Sequence, residues 1–408
     1  MLNKLNVTFI ELSADNDEET INVAPRIGRE LPEEVIATAR LHADAVDAEG
    51  RFPEEVFQAL RTAGALGGLI PQHLGGGGRS LGEIAAQCQA LGSACSNAAM
   101  ILAMHHIQVA CLVRHAAAQA WLIDFLKRVQ SEQLLLGSST SEVGVGGSMR
   151  TSLCAIMVEQ GRFTICKNAT AISYGARADA ILVTARQGLE APESDQVIVV
   201  VERDLLGLQR TASWDAMGMR GTGSDAFMLT GGGVIEQVLE TSFADVSAST
   251  MVPVSHMLWG AVWTGVARDA VERARQGLKK RRRSDGAASP SALRLVRAIE
   301  TLQLAEARVR MALADFAWDT LEAPSFAQLA CDNGLKASVA EACLEVVTQA
   351  MQVSGFAGYA RGGPSSVSRH LRDLHSAPLM IGNERIRESS AQLLLAQRPR
   401  LGLDRASV

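Results

Sequence analysis

The hydrophobic period of this chain switches twice, and the two switches constrain its fold more than any motif does. From Pro32 to about Leu136 apolar residues recur at helical spacing; from Leu134 to about Val246 short β-branched runs take over, separated by turn residues. Helical spacing returns from about Pro253 to Gln397. Helices, a small β domain and helices again make an α+β fold that is mainly helical. The expected divisions are a polar lead-in over residues 1–30, a helical domain over 31–135, a β domain over 136–248 and a second helical domain over 249–408.

Local signals fill in the elements. Leu31-Pro32-Glu33-Glu34 and Phe52-Pro53-Glu54-Glu55 put proline and acids into first helical turns. Further helices are expected near 81–93, 97–115 and 117–130, and later over 254–281, 291–320, 324–354 and 377–398. Glu159-Gln160-Gly161, between Cys154–Val158 and Arg162–Cys166, predicts a hairpin. Ala180–Ala185 and Gln196–Val201 read as short strands, and Gly231-Gly232-Gly233 as a turn.

With 47% hydrophobic and 20% charged residues, the chain has a globular balance that excludes global disorder. A net charge of -5 argues against a nucleic-acid partner. The 7 cysteines are scattered, odd in number and without a CxxC pair, so reduced thiols are expected rather than zinc or a disulfide framework. No secretory signal is read near Met1, and the apolar windows at 101–113 and 257–267 are too short to span a membrane. A soluble, cytoplasmic protein is expected.

Few segments carry chemistry on their own. Gly75–Gly78 lacks the Lys-Ser/Thr of a phosphate loop and reads as a tight loop between helices. Ser138–Ser141 runs into the glycine-rich turn around Gly146 and Gly147, a set of donors suited to a cofactor ring edge, a pyrophosphate or an ordinary polar turn. Trp214–Asp225 is a loop whose glycines allow close backbone approach. Lys279–Arg283 reads as a solvated helix end, with an anion contact as its rival. His105-His106 lie in an apolar helix without metal-ligand spacing, and His256 and His375 are isolated.

Over roughly residues 32–398 these segments, taken in order, resemble the acyl-CoA dehydrogenase family. Leu69–Gly76 is similar to the family's "vPe.yGG", Thr140–Gly147 to "VTEPGAGS", Ala171–Ala178 to "WITNGGKA" and Ala216–Gly223 to "lGmRgt.S". Gln352–Tyr359 resembles "QiFGGnGy", Arg372-Asp373 the "RDa" step, and Gly382–Ile386 the "EGTneI" turn. The resemblance implies an N-terminal helical domain, a middle β-barrel and a C-terminal four-helix bundle. It also implies FAD, an acyl-CoA or acyl-carrier thioester substrate, an electron acceptor such as an electron-transfer flavoprotein, and a homodimer or homotetramer. By position, Ser138, Thr140 and Ser141 would meet the flavin edge, with Gly146 and Gly147 in the same loop, and Ser173 would lie on the N5 side. Gln352, Gly355 and Phe356 would contact the ADP portion of a neighbouring subunit's FAD, and Asn383 and Arg385 the flavin of their own.

The departures bear on the reaction. The family's α-proton base is a Glu at the position of Ile381, or in some members on the long helix where Ser255 and His256 stand. The Trp that covers the flavin is Ala171. Candidates for a replacement base are Glu384, one turn beyond Ile381, with Ser255 and His256. The leading expectation is a thioester α,β-dehydrogenase with a displaced base. The alternative is a flavin-dependent monooxygenase of the same fold, in which His105 or His106 with Ser141 or Ser173 serves the oxygen chemistry. A group of such enzymes carries a later His at the position of Met380, near His375. A non-catalytic binding homologue is the third reading.

Overall fold

The computed structural model describes residues 30–116, 119–281 and 290–396. The chain opens with α1 (Glu33–Glu49), which carries Glu33 and Glu34 in its first turn and ends at Gly50 in the left-handed conformation. Then come α2 (Glu54–Thr62) and α3 (Leu81–Gly92), the latter started by a capping box between Ser80 and Glu83. The Gly75–Gly78 run is the expected tight loop, because a Cβ on Gly76 would lie 2.1 Å from the Ile70 carbonyl oxygen. Next follow α4 (Ser96–His115) and α5 (Ala120–Ser131). By length and composition α4 would cross a membrane, but its apolar window is 89% buried inside the protein.

The middle domain holds seven strands in two sheets: β1 (Leu136–Ser139), β4 (Ala180–Arg186) and β5 (Gln196–Glu202) in one; β2 (Met157–Glu159), β3 (Arg162–Ile172), β7 (Asp225–Val234) and β6 (Leu206–Ala212) in the other. Helical domains on either side of this sheet domain match the expected acyl-CoA dehydrogenase-like fold, with the described strands of the middle domain in two hydrogen-bonded sheets. The hairpin turns at Gln160 and Gly161, both at positive φ. Strand β6 has no sequence signal, since it lies at a sheet edge and is largely exposed. The Gly231–Gly233 turn is a correction: these glycines lie inside β7, where a Cβ on Gly231 would sit 2.8 Å from Val201. Glycine there permits close packing of strands.

Helix α6 (Phe243–Val246) and a π-helical turn, Ser247–Met251, lead into α7 (Val252–Arg281), and α8 (Pro290–Asp315) and α9 (Phe326–Ser354) pack with it as a bundle. Helix α3 crosses α7 almost backbone to backbone, since a Cβ on Gly265 would lie 2.1 Å from Gln89 O. Short helices α10 (Phe356–Tyr359), α11 (Ser368–Leu374) and α12 (Ser376–Leu379) precede α13 (Asn383–Ala396), which lies on α9. The expected last helix therefore starts later than residue 377, because Ile381 (φ 55) and Gly382 (φ 36) interrupt it. Of the basic run, Arg281 donates to the carbonyls of Val353 (2.5 Å) and Ser354 (2.9 Å) at the end of α9, while residues 282–283 lie outside the described residues.

Candidate flavin site

The ends of β1 and β3 lie beside the start of β7, and the loop after β1 reaches the N-terminal end of α13. Ser141, just past β1, donates its hydroxyl to Ala171 O (3.1 Å) and accepts from Ala171 N (3.3 Å), fastening the β1 loop to the end of β3. Pairing of Ile172 with Asp225 sets Ser173 opposite Ser224, and their hydroxyl oxygens are 2.8 Å apart. Ser138 and Thr140, half-buried at the end of β1, flank the same edge.

The glycine loop is held from both sides. Glu142 accepts from Ser152 Oγ (2.7 Å), Leu153 N (3.0 Å) and Cys154 N (2.8 Å), and lies 3.8 Å from the buried Lys167 ammonium. Burial pushes Lys167 below its ordinary value, against the opposing pull of Glu142. From α13, Arg385 donates to the carbonyls of Gly146 and Gly147, each at 2.5 Å. Both glycines have positive φ, and a Cβ on Gly147 would come within 2.8 Å of the guanidinium.

Other sequence-derived candidates lie elsewhere. The amide of Asn383 is taken up by the bundle, accepting from Lys336 Nζ (2.8 Å) and donating to Glu341 (3.0 Å), so it docks α13 on α9. Glu384 has an 86% exposed side chain paired with Arg387 at 3.1 Å. Gln352, Gly355 and Phe356 face solvent, Phe356 at 92% exposure. Ser255 is buried on α7, and His256 donates from Nδ1 to Asp332 O (2.9 Å) while burial lowers it to about 4.

The histidine pair is also absorbed by the core. His105 donates from Nε2 to Leu66 O (2.7 Å) and accepts Leu136 N at Nδ1 (3.0 Å), so it is neutral and tied to backbone at both nitrogens. Burial lowers it to about 4 and drives His106 well below its usual range. The oxygen-handling role expected of His105 is thus corrected to a structural one. His375 is exposed and Met380 half-buried.

Three polar residues at this junction lie inside the quoted motifs, which assign them no role. Asp373 of the Arg-Asp step accepts from Ser96 Oγ and from Met219 N (2.6 Å), and Thr222 and Ser224 continue from Met219 towards Ser173. Their shared signal is a run of hydroxyls and glycines before a strand, which becomes informative only once the strand pairing is known. Two clefts, of about 460 Å³ between α1, α3 and α7 and about 570 Å³ beside Gln72 and Arg79, are lined by none of these residues.

Residues 29–133 match the model of the acyl-CoA dehydrogenase N-terminal domain, and residues 247–392 that of the C-terminal domain. The chain belongs to the acyl-CoA dehydrogenase superfamily. Members of this superfamily with this fold are flavoprotein oxidoreductases. The amino sugar nitrososynthase DnmZ of Streptomyces peucetius is 25% identical over 348 residues, 82% of this chain and 84% of the relative. The FMN-bound structure of TdsC from Paenibacillus sp. A11-2 superposes with a TM-score of 0.78 at 21% identity, covering 90% of this chain and 96% of that one. KijD3, in complex with FMN and a dTDP-linked amino sugar, gives 0.77 at 22% identity, covering 94% and 97%. At these identities the two structures speak for the fold.

Proposed function

We propose that this superfamily member is a flavin-dependent monooxygenase acting on a small organic substrate with dioxygen, in place of an acyl-thioester dehydrogenase. One observation carries the reading. Both positions from which the family's carboxylate reaches substrate are filled by Ile381 and Ser255, and Glu384 is turned outward onto Arg387. Dehydrogenation at an α carbon needs a base within hydrogen-bond reach, and its loss costs about two to four orders of magnitude in rate. Oxygen chemistry of reduced flavin does not require that base.

The residues present suit a flavin. The hydroxyls of Ser141 and Ser173 lie at one edge, and a Cβ on Gly146 would meet nothing within 4 Å, leaving open space beside the backbone. Bound there, the flavin would supply two-electron redox chemistry that no side chain offers. Ser141, Ser173 and the Arg385-braced loop would hold and orient it, and Ala171 leaves more room over the ring than the family's Trp. FAD is supported over FMN by the exposed Gln352, Gly355 and Phe356, where the resemblance puts the ADP portion of a second copy's cofactor. Exposed Phe356, Tyr359 and Leu395 support a homodimer or homotetramer. A relative described as a nitrososynthase, matched over 84% of its length, and a similar fold described as dibenzothiophene monooxygenase also support oxygen chemistry.

The test is oxygen uptake with free reduced flavin and a panel of aromatic and amino-sugar substrates, beside anaerobic titration with acyl-CoA and acyl-carrier thioesters. Substrate-dependent oxygen uptake is expected. Thioester-driven bleaching of the flavin would overturn the reading, and a colourless protein that takes up no flavin would favour a binding role.

One observation favours the dehydrogenase as a second reading. Burial raises the Asp332 carboxyl to about 6, and its backbone carbonyl accepts from His256 beside the second base position. An acid so tuned suits proton abstraction. Thioester-dependent bleaching that disappears in Asp332→Asn would identify it as the displaced base.

A further inference from the structure

The hydroxyls at the strand ends form a chain whose proton direction is fixed by one carbonyl. Met219 O accepts from Trp214 Nε1 (3.0 Å) and lies 2.8 Å from Thr222 Oγ1. A carbonyl cannot donate, so the single Thr222 hydroxyl proton points at Met219 O. At its 2.9 Å contact with Ser224 Oγ, Thr222 is therefore the acceptor and Ser224 the donor. Ser224 has then used its only proton, and at 2.8 Å Ser173 must donate to Ser224. The chain reads Ser173 to Ser224 to Thr222 to Met219 O, every proton pointing away from the strand ends. Ser141 is in the same state, because its proton goes to Ala171 O at 3.1 Å.

The chain is anchored beyond its last carbonyl. Met219 has φ 50, unusual for a residue with a side chain, and its N–H is held by Asp373 at 2.6 Å. Gly221 N donates to Asn97 Oδ1 (2.9 Å), and Tyr174 N donates to Thr222 O (2.7 Å). Three backbone and side-chain links thus hold the loop in the conformation that aims Met219 O at Thr222.

We infer that Thr222 and Ser224 are positioning residues that make Ser173 a hydrogen-bond acceptor towards the site, so that it favours reduced flavin over oxidised flavin. The inference rests on the flavin-binding part of the proposed function. Reduced flavin carries a proton on N5 and donates there, whereas oxidised flavin offers a lone pair that a proton-less Ser173 face cannot satisfy. A protein that prefers reduced flavin takes it up ready for reaction with oxygen, whereas a dehydrogenase must begin from the oxidised form.

The test compares binding of oxidised and of dithionite-reduced FAD and FMN, anaerobically, by fluorescence titration. One redirected hydrogen bond is worth about 1 kcal/mol, or about fivefold in the ratio of the two dissociation constants. For a two-electron couple that is a shift of about 20 mV in the bound flavin's midpoint potential. Ser224→Ala frees the Ser173 proton, and Thr222→Val lets Ser224 donate back to Ser173. Both are expected to weaken reduced flavin relative to oxidised by about fivefold, and Thr222→Ser to restore the wild-type ratio. The Thr222 result is the decisive one, because a merely structural loss would weaken both redox states alike. A ratio unchanged within about twofold in both variants, or moved the other way, overturns the inference. Absence of flavin binding in either redox state overturns the proposed function on which it rests.

Discussion

Asp373 accepts the backbone N–H of Met219 at 2.6 Å, joining residues 154 positions apart in the sequence. The same carboxyl accepts from Ser96, so one buried side chain pins the start of α4, the loop before β7 and α11 together. Asp373→Ala would leave these donors buried and unpaired, and is expected to destabilise the protein by about 3 kcal/mol in urea unfolding. Asp373→Asn, which keeps the shape and one acceptor, should lose less. A loss under about 0.5 kcal/mol for the alanine variant would contradict the clasp.

Acid stability should follow the buried histidines. His105 and His256 are each pushed down to about 4 by burial. The unfolded chain binds their protons from about pH 6.5 downward and the folded protein does not. Stability is therefore lost as pH falls from 6.5 to 4, by up to about 3 kcal/mol per histidine. Thermal unfolding between pH 7.5 and 4.5 measures this, and His105→Gln should flatten the slope while lowering stability at pH 7.5. An unchanged slope in that variant would show that His105 is charged in the folded protein.

Asp332 has the opposite sign. Burial raises its carboxyl from 3.8 to about 6, so the folded protein binds the proton more tightly than the unfolded chain does. Its contribution is most favourable below pH 4 and declines as pH rises to 6, by up to about 3 kcal/mol. Asp332→Asn removes the charge and should raise the unfolding temperature at pH 7.5, with little difference near pH 4. A lower unfolding temperature at pH 7.5 would contradict burial as the cause.

Arg385 and Glu384 are neighbours with unlike roles. Arg385 braces the carbonyls of Gly146 and Gly147, so Arg385→Ala should loosen the glycine loop and weaken flavin binding by about tenfold, from two charge-assisted hydrogen bonds. Glu384 is paired with Arg387 at the surface, and Glu384→Ala should change flavin binding by less than about twofold and stability by less than about 0.5 kcal/mol. Fluorescence titration of both variants compares them directly. A large loss of turnover in Glu384→Ala would restore it as a base.

The helices were legible where apolar spacing and caps agreed, as in α1, α3 and α4. Strand β6 and the glycines of β7 were not, because an exposed edge has no apolar alternation and a Gly-Gly-Gly run normally marks a turn. Ser141 and Ser173 could be picked out from the order of motifs, and the strand ends bring them together. Ser224 and Thr222 stood in a quoted loop without a role, since a hydroxyl's role depends on which neighbour takes its proton. His105 and Asn383 looked available in the sequence and are occupied in the fold, by backbone at Leu66 and Leu136 and by Lys336 and Glu341.

The sequence by itself determined the order of helical and β domains, the family, and the absence of a carboxylate at Ile381 and Ser255. The first follows from residue type and spacing, which local physics reads directly; the family and its two base positions follow from the order of motifs that resemble it. Only the tertiary structure decided that Glu384 faces solvent, that His105 is neutral and fully bonded, and that the hydroxyls of Ser173 and Ser224 meet. Those are matters of direction and partner, and they are set where segments far apart in sequence meet.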